Sequence, residues 1–379
     1  MTGATRSERR GRSGLLVLLA VLLAVGFVGA RLVGYSFRYA RTRFNPASLE
    51  SAEPTFFYLD WYRDLDGMAA VRARVGADGV FRSDVDAVRD GKLRHDPLTV
   101  IQMSLGIHDQ LLEGRRPELD AILLRQLDWL LGDGMVLLPD SVPVWPQYYR
   151  FDRYGLHDRW ISALTQGQAI SLLTRAASYT GRREYLDWAA RAARAFTDHD
   201  LPIVWHGEGG AIFFEEYPCV PPAHVLNGCL LAWLGLWDCA RARQDTALRA
   251  YCLDALERIG ATLPRYERGD WTRYDLQQDR PASPDYQEIH AALAETMARL
   301  VPGDPRWRQC ALRWRRAADD PARRCRVFFE VAWDKLRTRL FGAGVRPKGL
   351  LLRGSPGQLP VGLLPAGPLR AVDTPSGGS

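Results

Sequence analysis

The chain has 379 residues, of which 47% are hydrophobic and 25% are charged, as is usual for a globular protein of one large or two small domains. Its net charge of +6 is concentrated at the two ends, because residues 1–13 and residues 342–379 each have a net charge of +3. The body between them is close to neutral. The composition therefore argues against a basic face and against nucleic acid as a partner.

The N-terminus has the pattern of a membrane anchor. A basic segment, residues 1–13, precedes an apolar run of 17 residues from Gly14 to Ala30. That length lies between the core of a signal peptide, roughly 7–15 residues, and a spanning helix of about 20. We predict a transmembrane signal anchor over residues 14–33, with cleavage after Ala30 as the alternative. The arginines before the run place the body of the protein outside the cytoplasm in either case.

Less regular segments flank the main body. Residues 34–56 have few periodic apolar positions and are predicted to form a stem. Residues 57–95 predict a short β-hairpin or an irregular lead-in, and residues 342–379, rich in Gly, Pro and Leu, predict a disordered tail. The six cysteines include no CxxC pair, which argues against a structural zinc site and leaves any disulfide pairing open. Cys229 and Cys239 lie in apolar helical stretches and are expected to be buried free thiols.

A helical hairpin recurs four times from residue 96 onward, at a spacing of about 60 residues. The segments are Pro97–Leu112 with Pro117–Leu131, Gln166–Tyr179 with Glu184–Phe196, Val225–Ala240 with Ala247–Leu263, and Tyr286–Leu300 with Pro305–Ala317, and one more amphipathic helix covers 323–340. Stacked hairpins close into a toroid or open into a solenoid. We predict a mainly α fold in which residues 96–341 form a complete or partial α/α toroid (barrel), after a small β-containing lead-in.

Three short motifs could supply acid–base chemistry. Glu215-Glu216-Tyr217-Pro218 precedes the third hairpin, Tyr274-Asp275-Leu276 lies in a turn-rich run, and Tyr286 precedes His290 by four residues, on one face of a helix. Alone, each motif is typical of something simpler: a carboxylate at a helix start, a core tyrosine or a polar surface pair. Glutamate and tyrosine are nevertheless both able to act as general acids or bases.

Taken together, the order and spacing of these motifs resemble the C-terminal domain of the D-glucuronyl C5-epimerases. That family has a helix start containing Gly-Gln, then EEYP before a V-L-N-G helix, then YDL and a DYHxxH helix start. The corresponding segments here are Gln166-Gly167-Gln168, Glu215–Pro218, Val225–Gly228, Tyr274–Leu276 and Asp285–His290, and the resemblance covers roughly residues 95–318.

The resemblance implies an isomerase that epimerises C5 of D-glucuronate to L-iduronate in a polysaccharide such as heparosan, as in glycosaminoglycan biosynthesis, without a cofactor. The sequence has no metal-ligand spacing and leaves metal dependence open. Its implied catalytic residues are Glu216 and Tyr286, as opposed proton-transfer groups, with Tyr217 and Tyr274 as close partners. The implied substrate-binding residues are Gln166, Gln168, Asn227, Arg273, Arg280 and His290. The expected partners are the uronate polysaccharide, the membrane through the N-terminal helix and a second copy in a possible homodimer. The catalytic domain is expected in the bacterial periplasm, at the cell exterior or, in a eukaryote, in the Golgi lumen.

Two positions depart from the family pattern. Gln277 stands where the family has the arginine of YDLR, and Gln287 replaces the first histidine of DYHxxH. Arg273 or Arg280 could substitute for the missing arginine. The departures keep two alternatives open: a uronate lyase or hydrolase of the α/α-toroid type, the hydrolase using Glu216 with Asp275 or Glu288, and a non-catalytic glycan-binding relative.

Overall fold

A computed structural model describes residues 42–60, 75–83, 93–114, 117–157, 159–198 and 200–341. The basic segment 1–13, the predicted anchor 14–33 and the predicted tail 342–379 lie outside the described residues. Within the described ranges, no helix is both long enough and apolar enough to cross a membrane.

The described chain is mostly helical. Its helices are α1 (Pro97–Leu112), α2 (Asp120–Leu131), α3 (Ala163–Thr180), α4 (Glu184–Thr197), α5 (Leu226–Arg243), α6 (Thr246–Ala261), α7 (Leu263–Tyr266), α8 (Pro284–Leu300), α9 (Pro305–Asp319) and α10 (Pro321–Phe341). The four hairpins expected from the apolar periodicity are confirmed as the pairs α1–α2, α3–α4, α5–α6 and α8–α9.

Local sequence sets where several helices begin and end. Asp96 caps α1 by accepting a hydrogen bond from the Thr99 amide at 2.9 Å, and Asp245 caps α6 in the same way. Proline is the first residue of α1, α8 and α9, where an amide hydrogen would have no acceptor within the helix in any case. Gly181 ends α3 with a φ of 71°, a left-handed conformation that glycine adopts without strain.

Short antiparallel ribbons join one hairpin to the next. They are β1 (Val136–Leu137) with β2 (Pro143–Val144), β3 (Val204–His206) with β4 (Ile212–Phe214), and β5 (Glu267–Arg268) with β6 (Trp271–Thr272). In the described part of the lead-in only isolated bridges occur, such as Val75 with Phe81. The named strands of the described chain therefore lie in the connections between helices, and the described part of the lead-in adds antiparallel bridges within an otherwise irregular segment.

The first helices of the four hairpins form a row, because α1 packs on α3, α3 on α5 and α5 on α8. These helices are buried over most of their length, and each packs against the second helix of its own hairpin. The helices α3 and α5 approach closely at two glycines: a Cβ on Gly235 would lie 1.8 Å from the Gly167 carbonyl oxygen. All six cysteines are free, and Cys229 and Cys239 are buried on α5 as predicted.

Residues 42–60 pack on the helices. These residues span the end of the predicted stem and the start of the lead-in. The Thr42 amide donates to Glu288 Oε2 at 2.9 Å, and the buried Tyr58 hydroxyl donates to Asp238 Oδ1 at 2.7 Å. Asp238 also pairs with the buried Arg175 of α3. The contacts connect this segment to α3, α5 and α8.

The last helix, α10, covers the segment predicted as 323–340. Val327 is buried against Trp271 and Ala317, so one side of the helix packs on the body of the protein. Phe329 and Trp333 are 52% and 66% exposed and face away from that contact.

Candidate active site

Segments that are far apart in the sequence meet at the N-terminal ends of α3, α5 and α8. They are the turn 152–154, the start of α3, the loop 215–225 and the loop 273–283. The Ala163 amide donates to the Glu215 carbonyl at 3.0 Å, and the Leu276 amide donates to the Ala223 carbonyl at 3.0 Å. These backbone contacts hold the EEYP and YDL motifs side by side.

The two glutamates of the EEYP motif have different environments. Glu215 is buried and tied to His224: the His224 amide donates to Oε2 at 3.0 Å, and His224 Nδ1 is hydrogen-bonded to Oε1. The His224 ring lies 4.6 Å from the rings of both Trp205 and Phe213. Glu215 therefore holds the loop 215–225 against the β3–β4 ribbon.

The Glu216 side chain contacts a different set of residues from that of Glu215. Asn227 Nδ2 donates to Glu216 Oε2 at 3.4 Å, and the Tyr217 hydroxyl lies close enough to the same carboxyl group to lower its pKa. A Cβ on Gly228 would lie 2.2 Å from Glu216 Oε2. Glycine at this position of the V-L-N-G motif thus leaves the space that the carboxyl group occupies.

Burial raises the pKa of Glu216 to about 7, because only 5% of the residue is exposed and the charged form loses its hydration. The nearby carboxyl groups of Glu215 and Asp275 raise it further, while the polar groups of Tyr217 and Asn227 lower it. This carboxyl can therefore both bind and release a proton near neutral pH.

Three tyrosines continue from Glu216 as a contiguous series. The Tyr217 hydroxyl adjoins Tyr274 closely enough to affect its pKa, and the rings of Tyr274 and Tyr286 meet edge to face with centroids 4.6 Å apart. Burial is the main cause that raises the pKa of all three phenols, that of Tyr286 to about 12. Tyr286 keeps 36% of its surface exposed, so the series runs from the buried carboxyl towards solvent. The structure brings together the four residues predicted as catalytic.

An aromatic wall that the sequence analysis did not identify surrounds Tyr217. Tyr154 stacks on it with ring centroids 4.4 Å apart and an interplanar angle of 15°, and Phe151 and Trp160 lie at 5.0 and 5.9 Å. Tyr149 packs on Trp160 at 5.3 Å. The density of aromatic residues between 145 and 160 is the sequence signal that could have indicated this wall.

One arginine, also not identified from the sequence, lies beside the tyrosines. The guanidinium carbon of Arg153 lies 5.7 Å from the Tyr154 ring centroid and 5.9 Å from that of Tyr274. Asp275, directly after Tyr274, is fully buried, and its Oδ2 accepts a hydrogen bond from the Tyr154 hydroxyl at 2.9 Å. Burial raises the pKa of Asp275, and the charge of Arg153 opposes that shift.

The predicted substrate-binding residues are only partly brought together. Asn227 contacts Glu216, as described. Gln166 instead donates to the backbone carbonyls of Pro143 and Ala192, and Gln168 is fully buried with its Oε1 accepting from Gln102 at 2.8 Å.

His290 is fully buried, and its described contacts are with Thr272, at 2.8 Å from Nδ1, and with the ring of Trp314. Burial lowers the pKa of His290 to about 3, so its imidazole is neutral. Helical spacing places His290 on one face of α8 with Tyr286, but one turn further along the helix that face is covered by Thr272 and Trp314.

Neither arginine proposed as a replacement for the family arginine reaches the tyrosines. Arg273 donates to Asp279 at 2.8 Å and to the carbonyls of Arg265 and Glu267, and Arg280 pairs with Asp334 of α10 at 3.1 Å. Both side chains therefore hold the loop 267–282 in place.

The two departures from the family motifs have structural partners. Gln277 Nε2 donates to the Pro221 carbonyl at 2.7 Å, and so connects the YDL loop to the EEYP loop. Gln287 is fully buried, accepts from the Thr272 amide at 2.9 Å and donates to the Trp314 carbonyl at 3.1 Å. Glu288, one partner considered for a hydrolase, pairs with Arg324 and is thereby removed from the site.

The arrangement is thus a buried carboxyl linked to phenols, lined by aromatic rings and open at one end. Within the described residues, no group of three or more His, Cys, Asp or Glu side chains could hold a metal ion. Such a site is suited to moving protons to and from a ring-shaped substrate, because both a carboxyl and phenols can act as acids or bases.

Comparison with known proteins agrees with the motifs. Residues 140–316 match the family described as D-glucuronyl C5-epimerase C-terminus, and the chain belongs to this family. Over 220 residues it is 31% identical to the D-glucuronyl C5-epimerase of Caenorhabditis elegans, a match that covers 52% of this chain and 36% of that protein.

Two other similarities are more distant. An uncharacterized protein of Methanocaldococcus jannaschii is 29% identical over 158 residues, which is 39% of this chain and 49% of that protein. The crystal structure of the unsaturated glucuronyl hydrolase from Bacillus sp. GL1 aligns over 82% of both chains with 13% identity and a TM-score of 0.39. A TM-score this low defines neither a shared fold nor a shared function. The matched part of the chain spans a half or less of the length of these sequence relatives.

Proposed function

We propose that this protein epimerises C5 of D-glucuronate residues to L-iduronate in a polysaccharide. One observation carries the proposal: the buried Glu216 carboxyl, whose pKa is raised to about 7, is linked through Tyr217 and Tyr274 to the Tyr286 hydroxyl. Membership of the C5-epimerase family supports it, and no cofactor is part of it.

The reaction has strict chemical requirements. C5 of a uronic acid lies next to a carboxylate, and its proton is only weakly acidic. A base must remove that proton, an acid must protonate the opposite face, and positive charge or strong donors must stabilise the enediolate between the two steps. A base is most effective when its pKa lies near the working pH. The raised pKa of Glu216 meets that condition, whereas an ordinary glutamate with a pKa of about 4.3 does not.

The roles of the two proton-transfer groups follow from their pKa values. Above about pH 7 Glu216 is ionised and accepts the C5 proton, while the raised pKa of Tyr286 keeps its phenol protonated. The electrons of the C5–H bond move into the enediolate, and Tyr286 then gives its proton to the other face of C5. The hydroxyls of Tyr217 and Tyr274 return the proton from Glu216 to the Tyr286 phenolate, which resets the site.

The surroundings support a sugar polymer as the substrate. The partly exposed rings of Phe151, Tyr217 and Tyr286 offer surface on which a pyranose ring can stack, and the buried Tyr154 and Trp160 support Tyr217 from behind. We also propose that the row of hairpins is part of an α/α toroid, and that residues 14–33 anchor the domain outside the cytoplasm.

The test is exchange of the C5 hydrogen. The full chain is incubated with heparosan in deuterated water, and the product is examined by NMR. Deuterium at C5 together with iduronate signals is expected, and Tyr286→Phe should abolish both. The matched control is Tyr148→Phe, because Tyr148 is 50% exposed and contacts Arg159 instead of the tyrosine series.

The other outcomes separate the alternatives. An unsaturated product absorbing in the near ultraviolet would identify a lyase, which forms the same carbanion and then expels the C4 substituent. Binding of heparosan without any exchange would contradict the epimerase and favour a glycan-binding relative.

A further inference from the structure

A uronate substrate brings a negative charge into a site that is already acidic. Glu216, Glu215 and Asp275 are all buried there. Developing charge on the substrate carboxylate requires a cation or strong donors in the transition state. If the proposed function holds, a cationic side chain must therefore lie near the tyrosines that face C5.

Most arginines near this region are committed to other partners. Arg273 and Arg280 hold the loop 267–282 through Asp279 and Asp334. Arg324 is buried against Glu288. The family's own arginine position is Gln277, whose amide holds the Pro221 carbonyl.

Arg153 lies in a different situation. Its side chain is exposed, and its guanidinium lies 5.9 Å from the Tyr274 ring centroid and 5.7 Å from that of Tyr154. Across the part of the chain that the structure describes, no carboxylate lies within ion-pairing distance of it. Its one polar contact there is a long one, 3.5 Å from Nη2 to Gln278 Oε1. Its positive charge also acts on Tyr286 and on Asp275, so it lies on the same side as the solvent end of the tyrosine series.

We propose that Arg153 binds the carboxylate of the uronate residue that undergoes the reaction. Arginine presents two parallel N–H groups that match both oxygens of a carboxylate. Held there, the carboxylate would place C5 beside Tyr274 and Tyr286, and the guanidinium would stabilise the enediolate. The turn 152–154 would then supply from another segment the positive charge that the family places after its YDL motif.

The short turn that holds Arg153 is itself fixed. The neighbouring Tyr154 stacks on Tyr217 and donates to Asp275, so the backbone at 153 cannot shift without moving the reactive tyrosines. Asp275 also fixes the backbone at Gln278, because the Gln278 amide donates to Asp275 Oδ1 at 2.6 Å. Asp275 is therefore a positioning residue for both sides of the carboxylate site.

The test measures binding separately from turnover. Affinities of the full chain for heparosan oligosaccharides and for the same oligosaccharides with carboxyl groups reduced to alcohols are determined by calorimetry. The wild type should prefer the carboxylated form, and Arg153→Gln should weaken binding of that form about 10-fold, the lower end for a hydrogen-bonded charge because the side chain is exposed. Binding of the reduced form should be unchanged, and Arg153→Lys should retain part of the preference.

Arg159→Gln is the matched control, because Arg159 lies on the same stretch and stacks on Tyr148 at 5.8 Å. It should bind both oligosaccharides as the wild type does. Equal affinities of Arg153→Gln and wild type for the carboxylated form, or a wild type that shows no preference, would overturn the assignment of Arg153. C5 exchange measured in parallel distinguishes the two proposals. If exchange occurs but Arg153→Gln binds like the wild type, the epimerase proposal holds and the Arg153 proposal fails. If binding depends on Arg153 but no exchange occurs, the carboxylate site holds and the epimerase proposal fails.

Discussion

Two buried carboxylates in this protein lie only 22 residues apart in sequence and have opposite environments. Asp238 of α5 is fully buried and paired with Arg175, and its oxygens also accept hydrogen bonds from Ser171 and Tyr58 at 2.7 Å. The buried carboxylate is paired with a cation, so this cluster connects residues 42–60 and α3 to α5.

Glu216 is buried to a similar degree but has no arginine or lysine among its hydrogen-bond partners in the described ranges. Its neighbours are an amide, a phenol and two further carboxyl groups, so burial raises its pKa to about 7. The comparison shows how the same chemical group is neutralised by a cation in one place and left without one in another, where we propose that it transfers protons. The difference lies in whether a cation accompanies the carboxylate into the interior.

The largest expected effect is on turnover. Glu216→Gln keeps the shape of the side chain and removes the proton acceptor, so C5 exchange should fall about 100- to 10,000-fold. The rate is measured from deuterium incorporation at saturating heparosan. Glu257→Gln on the surface of α6 is the control and should retain wild-type exchange. Full exchange in Glu216→Gln would remove Glu216 from the mechanism.

The corresponding change in the other cluster should affect stability. Asp238→Asn leaves the charge of Arg175 buried without its partner, which should cost about 3–5 kcal/mol of unfolding free energy. Denaturant unfolding followed by circular dichroism measures this. The double variant Asp238→Asn/Arg175→Met should recover part of the loss, and a single-variant loss below about 1 kcal/mol would contradict the structural role.

The raised pKa of Glu216 also predicts a dependence of stability on pH. Between the ordinary glutamate pKa of 4.5 and about 7, the folded protein holds a proton on Glu216 that the unfolded chain has released. The contribution of this group to stability is therefore present at low pH and is lost as pH rises through about 7. Glu216→Gln removes that loss, so it should be more stable than the wild type above pH 7, by up to about 3 kcal/mol. The unfolding free energies of the two proteins should differ little near pH 4. If the difference between them stayed the same from pH 4 to above pH 7, the raised pKa of Glu216 would be contradicted.

The smallest effects are expected from two glycines of α5. Gly235→Ala places a Cβ against the Gly167 backbone and should lower stability by about 1–3 kcal/mol. Gly228→Ala places a Cβ against the Glu216 side chain, 2.2 Å from Oε2 and 2.5 Å from Cβ. Displacing that carboxyl group should lower C5 exchange by about 10-fold, equivalent to about 1.4 kcal/mol. C5 exchange and unfolding free energy are measured on both variants. If both variants lost exchange and stability to the same extent, Gly228 would have no separate connection to the Glu216 site.

The sequence predicted much of this molecule. Apolar periodicity identified all four hairpins and the last helix, because a buried helix face repeats every three to four residues within one segment. The motif residues Glu216, Tyr217, Tyr274 and Tyr286 were identified because each lies in a short, recognisable string, and the structure brings all four together.

The errors came from side chains whose direction depends on distant segments. Gln166 and His290 lie within recognised motifs, yet their polar atoms contact other parts of the core. Arg273 was proposed as a cation for the site, but Asp279 and two backbone carbonyls hold it. Helical spacing predicts which face a residue shares, but not which element covers that face.

By itself, the sequence determined the helical hairpins, the family and the chemical types of the reactive groups, because these depend on local periodicity and on contiguous motifs. Only the tertiary structure decided how the environments of the two adjacent glutamates differ and which arginine lies beside the tyrosines. Those outcomes depend on residues that lie far away in sequence, such as Asp275, whose charge acts on Glu216, and Tyr274, whose ring lies beside Arg153. Hydration and electrostatic interactions are set by neighbours in space, and the fold alone brings those neighbours together.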